Sequence, residues 1–136
     1  MPFIAALDYG ERHIGVAISD ASGTIASPLT TLPHKNWAQD ILAISNSLAP
    51  YPVSLVVIGE PLNTDGSAGP QTLITRAFGQ QLEKSGFSVA YCDERYSSIQ
   101  AAETLRSLGC RPENIKRRID QTAAAIILQR YLDGAG

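Results

Sequence analysis

The sequence predicts an α/β domain: a five-stranded mixed sheet with helices on both faces. Three observations predict it. Apolar, often β-branched runs of strand length recur along the chain. Stretches with helical spacing separate the later runs. Glycine and proline mark the joints between them.

The elements follow in order. Ile4-Ala-Ala-Leu7 is a continuous apolar run, as in a strand covered on both faces, and the first strand is expected over 3–7. Asp8 stands where that strand leaves the core. Gly10 then allows a sharp turn or the close approach of a ligand. A return strand is expected over 14–19. A third, over 24–32, is broken by Pro28, which suits an edge position. Trp37, Ile41, Ile44 and Leu48 share one face of a helix over 36–48. The run 53–58 reads as a central strand. Residues 59–71 are rich in Gly, Pro, Asn, Asp and Ser and read as a long loop. A helix over 71–84, a strand over 87–92 and a helix over 98–108 follow, the last stopped by Gly109. The final helix spans 112–132, with Pro112 in its first turn. Three antiparallel strands, a helix, then strand–helix–strand is the order of the RNase H-like fold. The helical crossovers imply parallel pairing with the first strand central. Ligands then belong at the carboxyl ends of the central strands, where Asp8, the 59–71 loop and Asp93-Glu94 fall.

The chain has 136 residues, 44% hydrophobic and 18% charged, with net charge −2. That length can bury one core, so 1–136 is expected to form a single domain. The weakly acidic balance offers no global attraction to nucleic acid, and any such binding must come from local basic patches. No basic leader precedes the first strand, and no apolar run approaches the ~20 residues needed to span a bilayer. Cys92 and Cys110 lack metal-type spacing and read as free thiols. A cytoplasmic location is expected, with no membrane partner.

The acids carry the chemistry. Two-metal phosphodiester hydrolysis needs carboxylates converging from separate elements on Mg²⁺ or Mn²⁺ ions. Asp8 after the first strand, Asp93-Glu94 after the fifth and Asp120 in the last helix are the three anchors. Adjacent acids on a chain usually point to different sides, so one of the two is expected to face the metals. Glu94 is taken as that ligand, with Asp93 the second candidate. Each acid also has a plainer role: turn former for Asp8, strand-end cap for Asp93-Glu94, solvated helix residue for Asp120. Glu60, at the end of the 53–58 strand, is a fourth acid placed to join the site or lie beside it. The loop after it could offer backbone N–H groups to a phosphate, or be ordinary surface. Arg12 beside Asp8, Asn63 in the loop, Arg95 after Glu94, and Lys116, Arg117 and Arg118 before Asp120 are candidate nucleic-acid contacts. For Lys116–Arg118 a solvated helix face is the alternative. His13 could assist proton transfer or be structural.

These motifs together resemble the YqgF/RuvX family: Asp8-Tyr-Gly with Ile14-Gly-Val-Ala-Ile-Ser-Asp20, Pro61-Leu-Asn with Asp65-Gly-Ser and Gly69-Pro-Gln71, Asp93-Glu-Arg95 with Ser97-Ser98, and Ile119-Asp-Gln-Thr-Ala-Ala-Ala-Ile-Ile-Leu128 with Tyr131-Leu-Asp133. The resemblance spans nearly the whole chain. It implies an RNase H-like fold related to RuvC Holliday-junction resolvases. It also implies a cytoplasmic, metal-dependent nuclease that trims the 5′ end of the 16S ribosomal RNA precursor. The family's acidic positions carry over onto Asp8, Glu94 (with Asp93) and Asp120, as catalytic and metal-holding residues. Two departures stand out. Glu60 replaces an apolar residue before Pro61, and Tyr96-Ser-Ser98 replaces Leu-Thr-Thr with hydroxyls kept. The alternatives are a Holliday junction resolvase-like DNA nuclease, a non-catalytic ribosome-associated RNA-binding module, and an actin-like ATP-binding domain. The last needs two such domains around its nucleotide, and this length supplies one. A resolvase acting on branched DNA would need a symmetric dimer to cut both strands, which keeps a homodimer open.

Overall fold

The computed structural model describes residues 3–95 and 97–134, and only the backbone of Ser97, Ser98 and Arg117. The chain runs β1 (Phe3–Tyr9), β2 (His13–Ser19), β3 (Ala26–Pro33), α1 (Trp37–Leu48), β4 (Val53–Glu60), α2 (Pro70–Lys84), β5 (Val89–Asp93), α3 (Ser97–Ser107) and α4 (Pro112–Leu132). The sheet order is β3-β2-β1-β4-β5. β1 pairs antiparallel with β2 and parallel with β4, and β5 joins β4 in parallel. The expected five-stranded mixed sheet is therefore present, with β1 at its centre.

Each face of the sheet carries its own core. Leu7, Ile14, Val16, Val56 and Ile58 meet Ile44 and Leu48 of α1 and Phe78 and Leu82 of α2. On the other face Ala6, Ala17, Val57 and Cys92 meet Ala124, Ile127 and Leu128 of α4. The small residues on this second face let α4 lie close. At Gly15 the approach is closest: a Cβ there would stand 2.0 Å from the backbone oxygen of Asp120.

Several element ends differ from expectation for local reasons. β1 continues through Asp8 and Tyr9, because Asp8 still pairs with Gly15 and Tyr9 with Ile14. Asp8 thus lies inside the strand rather than after it. The turn that follows is closed by Gly10 N–H donating to the His13 carbonyl at 2.9 Å, where a side chain on Gly10 would collide. β3 begins at Ala26 instead of residue 24, because the Thr24 and Ile25 amides donate to the Asp20 carboxylate. Its register shifts opposite Val16 and Ala17, beside Pro28, where an edge strand tolerates a lost donor. Asn36 is the cap of α1 rather than its first residue, its side chain accepting from Gln39 N–H at 2.9 Å. Phe87 closes α2 by donating to the Leu82 carbonyl, so β5 starts later, at Val89.

Candidate active site

Three glycine-linked positions gather the acids at one end of the sheet. Asp8 shares the sheet face of Ala6, the face covered by α4. Its partner across the ladder is Gly15, and α4 crosses directly over that glycine with Asp120. One position beyond the Leu7–Ile58 pair, Gly59 leaves room for Glu94: a Cβ on Gly59 would sit 2.9 Å from Glu94 Cβ. Glu94 is further tied down by its own amide, which donates to the Glu60 carbonyl at 3.1 Å. Asp8, Glu94 and Asp120 therefore arrive from β1, the end of β5 and α4 onto one face.

Asp8 and Glu94 touch. Among the described residues neither is ion-paired, and Asp8 is 8% exposed. Burial pushes the Glu94 carboxyl up to about 10, with the Asp8 charge and the hydrogen bond between them adding to it. Burial also raises Asp8, against the pull of the Glu94 hydrogen bond, and the Asp120 charge raises it further. Close carboxylates with nothing else to balance their charge favour keeping one proton between them. Asp120 is raised by burial and held back by His13, whose Nδ1 lies 3.7 Å from its Oδ2.

The neighbouring acids have a different arrangement. Asp93 accepts from the Arg95 amide at 2.9 Å and forms an ion pair with its guanidinium at 2.7 Å. Burial opposes ionisation of Asp93, but Arg95 holds its carboxyl below the ordinary value. Asp93 is thus turned from the Asp8–Glu94 pair. Glu60 lies on the opposite sheet face and pairs with Arg76 of α2 at 2.7 Å. It does not join the other acids.

An open cleft of about 440 Å³ lies against the pair, lined by Asp8, Tyr9, Gly10, Glu11, Pro61, Leu62, Gln71, Glu94, Arg95 and Ile99. A second hollow of about 280 Å³ adjoins Asp120, with His13, Thr31, Glu113 and Lys116 around it. Of the candidate nucleic-acid contacts, Lys116 therefore lies beside Asp120, and Arg118 and Arg12 are exposed. The Arg117 side chain lies outside the described residues, as do Tyr96 and the hydroxyls of Ser97 and Ser98. Asn63 holds its own loop together, donating to Ser67 Oγ at 2.9 Å and accepting from the Gly66 amide through its carbonyl. Arg95 reaches that loop too, donating to the Thr64 carbonyl at 3.2 Å.

Sequence reasoning missed Arg130. From α4 its Nη1 donates to the Asp93 carbonyl at 3.1 Å and its Nη2 to Gln100 Oε1 at 2.6 Å. It ties α4 to the segment on either side of Glu94. Nothing near Arg130 in the chain signals this, because its partners come from β5 and α3. Gly15 did carry a signal: a glycine inside a strand often marks a close backbone approach.

The donor set fits a divalent cation. Two close carboxylates, with a third acid nearby, supply the hard oxygens that Mg²⁺ or Mn²⁺ prefers, and an ion would take the place of a shared proton. Among the described residues, no three of His, Cys, Asp and Glu are gathered as a ready-made cage.

Comparison with known proteins agrees with this fold. The family model described as RuvX, Holliday junction resolvase, matches residues 2–134. A Chloroflexus aurantiacus protein provisionally named pre-16S rRNA nuclease is 47% identical over 131 residues, covering 96% of this chain and 86% of its own. A Synechococcus relative with the same name is 42% identical, covering 98% and 91%. Among solved structures, Thermus thermophilus RuvC bound to a Holliday junction matches with a TM-score of 0.56 at 14% identity, over 98% of this chain and 95% of that one. The fowlpox virus resolvase bound to junction DNA matches with a TM-score of 0.58 at 12% identity, over 97% of each chain. At such identities the structures establish the RNase H-like fold alone.

Proposed function

The chain belongs to the RuvX family, and from that premise we propose that it is a divalent-metal-dependent nuclease whose substrate is the 5′ end of precursor 16S rRNA. The observation that carries the reading is the close Asp8–Glu94 pair, with no cationic partner among the described residues, at the head of an open cleft. Asp8, Glu94 and Asp120 are the residues that would hold Mg²⁺ or Mn²⁺. Bound there, the ions would activate water and stabilise the leaving oxygen. The protein's own groups do the rest. Asp8 is fixed by the sheet ladder, Glu94 by its amide bond to Glu60, and Asp120 by the packing of α4 on Gly15. Asp93 serves through Arg95, orienting the segment that carries Glu94. Arg12, Asn63, Arg95, Lys116, Arg117 and Arg118 are the residues assigned to the phosphates of the substrate.

The precursor-rRNA substrate is favoured by the names of the relatives. Branched DNA is the second reading, favoured by the family description and by the likeness to RuvC. It carries with it a homodimer, since two nicks need two sites. Residues 1–136 act as one domain in this reading, and the location is the cytoplasm. Among the described residues no helix is long and apolar enough to cross a membrane.

Cleavage of an RNA bearing the 16S precursor 5′ leader, alongside a four-way DNA junction, tests the proposal. The RNA should be cut with Mg²⁺ or Mn²⁺ and left intact in excess chelator. Ca²⁺ should support binding with little cleavage, because its looser coordination does not hold the geometry. Undiminished cleavage in chelator, with contaminating nuclease excluded, would reject the metal mechanism. Cutting of the junction alone would move the assignment to branched DNA.

A further inference from the structure

We infer that Trp37 and Lys35 form a subsite that stacks an unpaired base of the substrate strand, beyond the carboxylates on the β3 side of the sheet. The inference rests on the nuclease reading and deepens it by naming the kind of nucleic acid held there.

Trp37 is the only tryptophan of the chain and is 43% exposed, although it opens the amphipathic helix α1. It borders an open hollow of about 510 Å³ whose other lining residues are His34, Lys35, Asn36 and Ala38. None of these is acidic, and Lys35, which lines the same hollow, is exposed. An exposed aromatic ring in a hollow that also carries a cation suits a base and its phosphate, because every base offers a π-face.

Position connects this hollow to the active site. β3 ends at Pro33, opposite His13 where β2 begins, so residues 34–37 lie at the sheet end that carries Asp8. The His34 amide donates to the Arg12 carbonyl at 2.8 Å. Asp8, Gly15 and Thr31 are successive partners across β1, β2 and β3, so the β3 edge is roughly 10 Å from Asp8 at ordinary strand spacing. The two hollows share a wall. Tyr9 lines the carboxylate cleft, His34 lines the Trp37 hollow, and their rings pack edge-on with centroids 5.1 Å apart. Both rings are held by Asp40, which is 1% exposed, accepts from the Tyr9 hydroxyl at 3.2 Å and contacts His34 Nδ1 at 2.5 Å. That buried network fixes the wall. The surface of α1 faces away from α4, so the strand would pass around the β1–β2 turn, past Arg12, to reach Trp37. A base stacked so far from the reacting phosphate should affect binding and KM, and leave kcat nearly unchanged.

Trp37 supplies its own readout. The Asp8→Asn protein, which should not cut, is titrated with a short single-stranded RNA, the same sequence as DNA, and the fully paired duplex, each end-labelled so that anisotropy reports binding. Tryptophan emission is followed in the same samples. The single strands should change the emission and saturate with the anisotropy, and the RNA and DNA arms show which sugar is preferred. The duplex should bind without changing it. In the otherwise native protein, Trp37→Ala should weaken single-strand binding and raise KM by about tenfold, with Trp37→Phe keeping most of the affinity and the melting temperature of both unmoved. Single-strand binding without an emission change, an equal change with duplex, or Trp37→Ala binding as tightly as wild type would each overturn the subsite. Cleavage by wild-type protein without an emission change overturns the subsite and leaves the nuclease standing. An emission change with no cleavage in Mg²⁺ or Mn²⁺ does the reverse.

Discussion

The two faces of the sheet's carboxyl end treat their acids in opposite ways. On the α2 side, Glu60 has Arg76 at 2.7 Å, and Asp93 has Arg95 at the same distance. On the α4 side, Asp8 and Glu94 have each other. The contrast is sharpest between Asp93 and Glu94, which are adjacent in the chain. Arg95 holds the first below its ordinary value, while burial beside Asp8 drives the second up to about 10. An acid whose charge is matched by a fixed arginine is finished as structure. A buried acid matched only by another acid is unfinished, and a cation from solution completes it. The position of the arginines therefore separates the acids that build the site from those that would bind in it.

Substitutions can break this division, and the largest effects belong to the α4 side. Asp8→Asn should abolish cleavage while the fold persists, because it keeps the shape and removes the charge. Glu94→Gln and Asp120→Asn should each lower turnover by at least ~10²-fold. The double variant should be barely worse than the poorer single one. Single-turnover rates and a circular dichroism melt of each protein check this, and additive losses would mean that the acids work separately.

Gly15→Ala should come next. Its new Cβ would meet the Asp120 carbonyl at 2.0 Å, so α4 must move away from β2. A loss of about 1–3 kcal/mol in unfolding free energy is expected, with turnover reduced because Asp120 moves with the helix. Denaturant melts together with rates would show the two losses side by side. Full activity in this variant would mean that the position of Asp120 is not critical.

A pH series sharpens the comparison without removing a residue from the site. The folded Glu94 carboxyl titrates at about 10, above its ordinary 4.5. The folded protein therefore keeps a proton that the unfolded chain releases. Its contribution to stability is complete below about pH 4.5 and is lost as pH rises toward 10. The metal-free protein should melt progressively lower across that window. Mg²⁺ or Mn²⁺ should raise the melting temperature, and most at the upper end, where the ion no longer competes with the proton. Glu94→Gln should flatten both trends. A metal-free melting temperature that rises through the window would contradict the shared proton.

The smallest effects belong to the α2 side. Asp93→Asn and Glu60→Gln each break a partly exposed ion pair, worth about 0–1 kcal/mol. Turnover should stay within a few-fold of wild type. If Asp93→Asn instead matched Glu94→Gln in damage, the distinction between paired and unpaired acids would fail.

The elements of this fold were legible in the sequence because each rests on local signals. Apolar runs gave β1, β2 and β4, Pro112 marked the start of α4, and the order of strands and helices placed β1 at the centre. The candidate acids were legible as well, since Asp8 and Asp93-Glu94 fall near the carboxyl ends of their strands. Alternation limits the adjacent pair to one acid per side, but that Glu94 rather than Asp93 meets Asp8 came only with the fold. The ends of β3 and β5 were not legible, because side-chain and cap hydrogen bonds from Asp20 and Phe87 overrode strand preference. Partnership was beyond the sequence altogether. That Glu60 meets Arg76, that Arg130 secures the segment around Glu94, and that Tyr9, His34 and Asp40 join the two hollows depend on residues from different elements. A chain records the chemistry each residue can offer, whereas the charge left unmatched at a site is set by which side chains the packing of sheet and helices brings within a few ångströms of one another.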